Sequence, residues 1–262
     1  MSEDYDYIIV GAGSSGSVIA NRLSANGHNR VLLLEAGGDD RRFWLQVPLG
    51  YGKSFYDSQV NWMYQTEPVV NTANRSSYWP RGKVLGGSSS INAMIYIRGQ
   101  AEDYNHWCAA GNPGWDWQNV LPLFKRMEDH SLGESKFHGA NGPLHIDASS
   151  RGLHPIYKHY VTACQEVGLP LNNDFNGASQ EGAGSYHLNV KNGQRMSASR
   201  AYLWPIRKRH NLRIETKALA TKILFEGKRA VGINYIKNGE TKTIRAGAEV
   251  FLRAAEIKHP KY

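Results

Sequence analysis

The sequence predicts an α/β fold in which a parallel sheet is followed by an antiparallel β-meander. Two observations lead to this prediction. Near the start, the apolar run 6–10, the helical spacing over 14–23 and the apolar run 30–35 form a strand, a helix and a strand. Their combined length of about 30 residues is typical of a βαβ unit. In the last third, strand-like segments follow one another over 212–246, and Asn238-Gly239 is a strong signal for a two-residue hairpin.

The remaining elements follow in chain order. Residues 39–90 contain aromatics, prolines and glycines without a clear period, and such a long irregular stretch is typical of a functional segment. Helices are predicted over 116–127 and 155–167, the second with Gly168 as its stop signal. Strands are predicted over 212–216, 218–225, 230–237, 240–246 and 249–252, with turns at 226–228 and 238–239.

The composition is that of a globular protein. Of the 262 residues, 41% are hydrophobic and 21% are charged, which argues against disorder. The 27 glycines follow no Gly-X-Y period, so their excess indicates local motifs. No apolar run approaches the length of about 20 residues that a membrane-spanning helix needs. The sequence therefore predicts no membrane span. Because the chain starts with acidic residues and shows no signal peptide, a cytoplasmic location is predicted.

Several residue types that could indicate a ligand are interpreted more simply. Cys108 and Cys164 form no C-x-x-C pair, so neither a disulfide framework nor a metal site is predicted. The net charge of +8 includes the basic run 207–210, which fits a solvated helix end or turn. Since no nucleic-acid module fingerprint occurs, no nucleic-acid partner is predicted. Solvated or structural roles are predicted for His106, His138, His145, His154, His159, His187 and His210.

A first glycine segment, residues 11–16, fits G-x-G-x-x-G between the first strand and the first helix. Gly11 allows a tight turn, Gly13 lets the backbone approach a pyrophosphate, and Gly16 lets helix and strand pack closely. The helix N-terminus then favours an anion. Glu35, at the end of the second strand, is placed to bind ribose hydroxyls. The alternative is a glycine-rich structural turn.

A second glycine segment, residues 81–90, contains Gly86 and Gly87 followed by three serines. It offers close backbone approach and several donors to a second phosphate or a flavin ring. An ordinary flexible loop is the alternative, although 91–96 continues as a partly apolar segment. A nicotinamide enzyme needs only the first segment, so the pair favours a flavin dinucleotide.

With both segments in view, the chain resembles the glucose–methanol–choline (GMC) oxidoreductases, nearest to the choline dehydrogenase-like members. The resemblance extends from Asp6 to about Leu252. It implies a Rossmann-type FAD-binding domain and an incomplete second, substrate domain. The motifs that carry it are 6–16, 34–38, 61–64, 82–105, 111–115, 138–144 and 199–203.

The resemblance also implies the residues that bind FAD. In relatives with covalent flavin a histidine stands at the position of Ile91, so noncovalent binding is expected. Glu35 is implied at the adenosine ribose, and Ala220 at the adenine through its main chain. The implied pyrophosphate residues are Gly11, Gly13, Ser14, Ser15 and Gly16. The implied flavin-side residues are Arg81, Val84, Gly86, Gly87, Asn92, Ala93 and Met94, and Ala36, Trp62 and Ser88 complete the set.

The activity implied is oxidation of the CH–OH group of a primary alcohol, choline-like or related, with hydride transfer from the carbinol carbon to flavin N5. The electron acceptor, oxygen or a quinone, stays open. Residues 253–260 depart from the second signature of the family, with Ala255, Glu256 and His259 in place of glycine, a small residue and serine. The expectation is therefore a truncated chain with no catalytic residue of its own. A catalytically inactive flavin- or nucleotide-binding fragment and a nicotinamide-dependent dehydrogenase are the alternatives.

The expected organisation has three parts. Residues 1–150 form the first part of the FAD-binding domain with the βαβ unit and the flavin loop. Residues 151–210 form a partial substrate-domain or linking segment. Residues 211–262 form the β-meander and a return strand of the FAD-binding domain, with the C-terminal substrate domain missing.

Overall fold

The computed structural model describes residues 5–149 and 153–253. The chain divides into two compact units, one comprising Met1–Ala93 with Ser197–Tyr262 and the other Met94–Met196. The boundaries predicted at residues 150 and 210 separated cofactor-binding parts from a substrate-binding or linking part, and this functional division stays a prediction.

Strands and helices are numbered here in chain order. The strands are β1 Tyr5–Val10, β2 Val31–Leu34, β3 Tyr64–Gln65, β4 Tyr78–Trp79, β5 Ile95–Tyr96, β6 Glu128–His130, β7 Leu144–Ile146, β8 His187–Leu188, β9 Val190–Lys191, β10 Gln194–Arg195, β11 Leu212–Glu215, β12 Ala218–Glu226, β13 Arg229–Lys237 and β14 Glu240–Leu252. The α-helices are α1 Ser14–Leu23, α2 Phe43–Gln46, α3 Tyr51–Ser54, α4 Ala101–Ala109, α5 Trp117–Met127 and α6 Ile156–Glu166. Short 3₁₀ helices span Pro48–Gly50, Val70–Thr72, Gly87–Ser90 and Trp204–Ile206, and a π-helix spans Ser199–Leu203.

The first unit is built on a six-stranded sheet in the order β11-β2-β1-β14-β13-β12. β1 pairs in parallel with β2 and with β14, and β11 pairs in parallel with β2. β12, β13 and the first half of β14 are antiparallel. The predicted α/β class, with a parallel sheet and an antiparallel meander, is therefore confirmed.

Two strand predictions were wrong in detail. Residues 212–216 were expected to begin the antiparallel meander, but β11 is a parallel strand at the sheet edge. Residues 240–246 and 249–252 were expected as separate strands, but they form the single strand β14. Between these two segments, β14 changes partner. Its first half pairs with β13 and its second half pairs with β1.

The core of this unit lies on both faces of the sheet. Ile8 and Val10 of β1 pack on one face with residues of β12 and β13. Ile9, which points the other way, packs with Ala20 of α1 and Leu203 of the π-helix. A central parallel strand covered on both faces reads as a continuous apolar run, which is why 6–10 was recognisable from the sequence.

Most predicted local elements are confirmed. α1 spans the predicted residues, and α5 and α6 agree with prediction to within one residue at each end. Asn238 and Gly239 both have positive φ, 53° and 81°, as a type I′ hairpin turn requires. The sequence reasoning missed α4, whose capping box between Gln100 and Asp103 was its available signal.

Among its described residues, the second unit contains α4, α5 and α6 with three small two-stranded sheets. β6 pairs in parallel with β7, whereas β5 with β8 and β9 with β10 are antiparallel. Among the described residues of the whole chain, no helix combines the length and hydrophobicity needed to cross a membrane. The cytoplasmic location stays a prediction.

Candidate cofactor site

The first glycine segment forms the turn from β1 into α1. Gly11 has a φ of 95°, in the region that favours glycine. A Cβ on Gly16 would lie 1.9 Å from the carbonyl oxygen of Gly11, so only glycine lets the helix approach the strand. A Cβ on Gly13 would meet no atom within 4 Å. The N-terminus of α1 therefore borders open space beside Gly13, with Ser14 and Ser15 exposed.

The second glycine segment is in direct contact with the first. The backbone N–H of Gly86 donates to the carbonyl oxygen of Ala12 over 2.8 Å. A Cβ on Gly87 would lie 2.8 Å from the Cα of Gly13. Both Gly86 and Gly87 have positive φ, 86° and 55°. The structure thus brings together two segments that lie far apart in the sequence.

The second glycine segment also follows the end of β2. The N–H of Leu85 donates to the carbonyl oxygen of Gly38 over 3.0 Å. Gly38 and Val84 form an isolated parallel bridge. A Cβ on Gly37 would lie 1.8 Å from the carbonyl oxygen of Lys83. Residues 82–87 therefore connect the residues after β2 with the tip of the first glycine segment.

Glu35 lies at this junction and is 6% exposed. Its carboxylate accepts hydrogen bonds from the N–H groups of Ala12, over 2.9 Å, and Gly37, over 2.8 Å. Burial raises the pKa of Glu35 to about 7, although these two N–H donors act in the opposite direction. The N–H of Ala218 donates to the carbonyl oxygen of Glu35, which places the start of β12, with buried Ala220, beside it.

A cavity of about 450 Å³ opens beside the second glycine segment, which contributes Arg81 and Ser88 to its lining. Its wall at Arg81 is fixed by the buried Asn61, whose side-chain oxygen accepts from the N–H of Arg81 and of Met63, each over 2.9 Å. Nearby, the ring of Trp62 lies under the ammonium of Lys83 at 4.7 Å. The cavity is lined by Phe55, Pro80, Arg81, Ser88, Ile91, Asn92 and Ala93.

Nearly all residues of the predicted site belong to the first unit. Met94 is the exception, because the division between the units falls between Ala93 and Met94. Met94 is buried and has a φ of 63°, which is uncommon for a residue other than glycine. The assignment of the individual residues to parts of FAD stays a prediction.

Sequence reasoning missed a buried polar network in the second unit. His138 contacts Glu128 through Nδ1 at 3.2 Å and Asp174 through Nε2 at 2.8 Å. Glu128 also pairs with Arg98. Burial lowers the pKa of His138, but the bonds to Asp174 and Glu128 outweigh it and raise that pKa to about 9. The structural role predicted for His138 fits this network, which no local sequence pattern could reveal.

Chemically, the first unit offers what a dinucleotide needs. The N-terminus of a helix with a glycine surface suits a pyrophosphate. A carboxylate at the end of β2 suits ribose hydroxyls, and a partly apolar cavity suits a ring system. The fold and the joined glycine segments thus define a dinucleotide-binding protein of the Rossmann type.

Comparison with known proteins identifies the family. The family model described as GMC oxidoreductase matches residues 5–262. The chain belongs to this family of FAD-dependent oxidoreductases. The predicted resemblance is confirmed, and the alternative of a nicotinamide-dependent dehydrogenase was wrong.

Individual relatives are similar over almost the whole chain. The chain is 44% identical over 268 residues to the mitochondrial choline dehydrogenase of Homo sapiens, covering 99% of this chain and 45% of that protein. It is 46% identical over 261 residues to an alcohol dehydrogenase [acceptor] of Pseudomonas putida, covering 98% and 47%. The chain therefore spans about half the length of the curated relatives it matches.

Solved structures are also similar to this chain over almost its whole length. Pyridoxine 4-oxidase from Mesorbium loti matches with a TM-score of 0.91 and 34% identity, covering 96% of this chain and 49% of that one. An FAD-dependent oxidoreductase from Chaetomium thermophilum matches with a TM-score of 0.90 and 31% identity, covering 98% and 46%.

Proposed function

We propose that FAD binds along the two joined glycine segments, and that the enzyme to which this chain belongs oxidises the CH–OH group of a primary alcohol. The observation that carries the proposal is the contact between the segments. The N–H of Gly86 bonds to Ala12, and Gly87 lies against Gly13. A nucleotide-binding turn joined in this way to a second glycine segment and a cavity fits a long dinucleotide with a ring system at one end.

The residues fit the cofactor part by part. The open space beside Gly13 receives the pyrophosphate, and the first N–H groups of α1 donate to it. Glu35 holds the adenosine ribose, and the backbone near Ala220 contacts the adenine. Ribose hydroxyls can donate to the Glu35 carboxylate, whose backbone partners at Ala12 and Gly37 fix its orientation.

The flavin side is assigned to the cavity and its walls. Arg81, Ser88, Asn92 and Ala93 line the cavity, and Ile91 provides no nucleophile for a covalent link, so noncovalent binding is proposed. When bound, FAD supplies a two-electron acceptor for the hydride of the alcohol. The chain's own residues bind the cofactor, orient it and exclude water from part of its surface.

The substrate class proposed is a primary alcohol related to choline. Two relatives are named choline dehydrogenase and alcohol dehydrogenase [acceptor], and a structural neighbour is named pyridoxine 4-oxidase. Alcohol oxidation also needs a base for the hydroxyl proton. We do not assign this base to the buried histidines His130, His138 or His187, because each of them is hydrogen-bonded within the second unit.

The experiment has two arms. In the first, the purified chain is stripped of cofactor and titrated with FAD and, separately, with NAD, with binding followed by flavin fluorescence quenching and by calorimetry. We expect one FAD per chain and no comparable NAD binding, and the reverse preference would contradict the proposal. In the second, the protein expressed from its complete gene is mixed with choline and other primary alcohols without oxygen. Bleaching of the flavin absorption is expected, and none with any alcohol would contradict the proposed activity.

A further inference from the structure

The π-helix Ser199–Leu203 lies against the second glycine segment. The N–H of Ala198 donates to the Oγ of Ser89 over 2.9 Å. A Cβ on Gly86 would lie 3.2 Å from the Cβ of Ser199. π-helices are rare and occur frequently at functional sites. This one forms the surface on which Gly86 rests.

The same π-helix also contacts the helix that follows the first glycine segment. The side-chain amide of Asn21, on α1, donates to the carbonyl oxygen of Tyr202 over 2.9 Å. Leu203 belongs to the apolar cluster that contains Ala20 of α1 and Leu85 of the second glycine segment. A displacement of the π-helix would therefore disturb both glycine segments together.

Asp40, which is 1% exposed, forms hydrogen bonds with residues near both ends of the π-helix. One carboxylate oxygen accepts from the indole N–H of Trp204 over 3.0 Å, and the other from the hydroxyl of Ser197 at 3.5 Å. The carbonyl oxygen of Asp40 accepts from the side chain of Gln46 over 2.7 Å. Gln46 in turn accepts from Arg200 over 3.0 Å. Asp40 thus bonds to residues near both ends of the π-helix, and Gln46 bonds to Arg200 within it.

A carboxyl group at this position is costly. Burial raises the pKa of Asp40, and the hydrogen bond from Trp204 only partly offsets this. The neighbouring Asp39 is different, because it is partly exposed and pairs with Arg41 at 2.7 Å. A residue that only filled space here would need no ionisable group. The position of Asp40 behind the π-helix indicates that its hydrogen bonds have a specific role.

We propose that Asp40 is a positioning residue for FAD. Through Trp204 and Ser197 it holds the π-helix against Gly86, and so it maintains the backbone shape of the second glycine segment that receives the cofactor. This inference rests on the proposed function, since it assumes that FAD binds along that segment. It adds a residue that touches neither the first glycine segment nor the cavity described above.

The test compares four variants with the wild-type chain by FAD titration, flavin absorption spectrum and melting temperature of the cofactor-free protein. Asp40→Ala removes both acceptors, and Trp204→Phe removes one donor while keeping an aromatic ring. Asp40→Asn keeps an oxygen that can accept from Trp204, and it is the conservative rescue. Asp39→Asn, at the exposed neighbour, is the matched control.

We expect Trp204→Phe, which loses one hydrogen bond, to bind FAD about tenfold more weakly, equivalent to about 1.4 kcal/mol. Asp40→Ala, which loses both acceptors, should weaken FAD binding at least as much, and both variants should change the shape of the flavin absorption band. Asp40→Asn and Asp39→Asn should keep the wild-type affinity within about threefold. Wild-type affinity and spectrum in Trp204→Phe would overturn the inference, even if Asp40→Ala fails to fold. A lower melting temperature with unchanged FAD binding would overturn it as well. Absence of FAD binding to the wild-type chain would instead refute the proposed function, and this inference with it.

Discussion

Gly13 and Gly16 lie three residues apart in one motif, yet the structure predicts opposite effects when each is replaced by alanine. A Cβ on Gly13 would meet no protein atom within 4 Å, and its φ of −69° suits alanine. The cofactor-free Gly13→Ala chain should therefore be as stable as the wild type or more stable, by about 0.4–1 kcal/mol, because alanine lowers the entropy of the unfolded chain. The added methyl would instead fill the space assigned to the pyrophosphate. We expect FAD affinity to fall by about 100-fold, equivalent to about 2.7 kcal/mol.

In Gly16→Ala the clash lies inside the protein. The new Cβ would be 1.9 Å from the carbonyl oxygen of Gly11, whereas ordinary contact begins at 3.4 Å. α1 and the preceding turn would have to separate by about 1.5 Å, which disrupts packing that is tight on both sides. Overpacking of this kind costs about 1–3 kcal/mol or more. We expect the cofactor-free Gly16→Ala chain to melt several degrees below the wild type.

The assay measures two quantities for each variant: the melting temperature of the cofactor-free chain by circular dichroism, and the FAD dissociation constant by fluorescence quenching. Gly16→Ala is the control that shows what a packing defect looks like in the first measurement. If Gly13→Ala binds FAD as tightly as the wild type, the pyrophosphate does not lie beside Gly13. If Gly13→Ala loses as much stability as Gly16→Ala, the reasoning from open space is wrong.

Three further predictions concern titration and the cavity. The pKa of Glu35 is about 7 in the folded chain, against an ordinary value of 4.5, so the folded state binds more protons than the unfolded state between pH 4.5 and pH 7. The free energy of unfolding should therefore fall as the pH rises through this range. Urea unfolding at several pH values should show a smaller fall in Glu35→Gln, and an equal fall would contradict the assignment. The pKa of His138, about 9 against 6.5, gives a stabilisation present below pH 6.5 and lost as pH rises through about 9. The difference in unfolding free energy between the wild type and His138→Gln should shrink over that range, and a constant difference would argue against a charged ring. Ala93→Leu should narrow the 450 Å³ cavity and weaken FAD binding about tenfold without lowering the melting temperature, whereas unchanged affinity would place the flavin elsewhere.

The elements predicted best from the sequence depend on local patterns. β1, α1 and β2 were predicted because the apolar residues of a buried parallel strand and of an amphipathic helix follow patterns that are visible in the local sequence. The hairpin at Asn238-Gly239 was predicted because both residues tolerate positive φ. β11 and β14 were predicted with the wrong pairing or extent, because nothing within a strand specifies which edge it joins.

In the cofactor site too, the local features were predictable from the sequence and the long-range contacts were not. Each glycine segment was recognisable by itself, since glycine placement follows from local backbone requirements. The contact of Gly86 with Ala12 and the cavity lined by Asn92 arise only in the folded chain. The network around His138 was missed for the same reason, because its partner Asp174 is 36 residues away.

The sequence by itself determined the family, the cofactor class and the parallel start of the sheet, because motif spacing and apolar periodicity are properties of neighbouring residues. Tertiary structure alone decided that Asp40 meets Trp204, 164 residues along the chain, and that the carboxylate of Glu35, predicted to bind the ribose, accepts a hydrogen bond from the backbone N–H of Ala12. The physical reason is that a buried polar group must find a partner wherever the folded chain brings one, and no local pattern specifies a partner so distant in sequence.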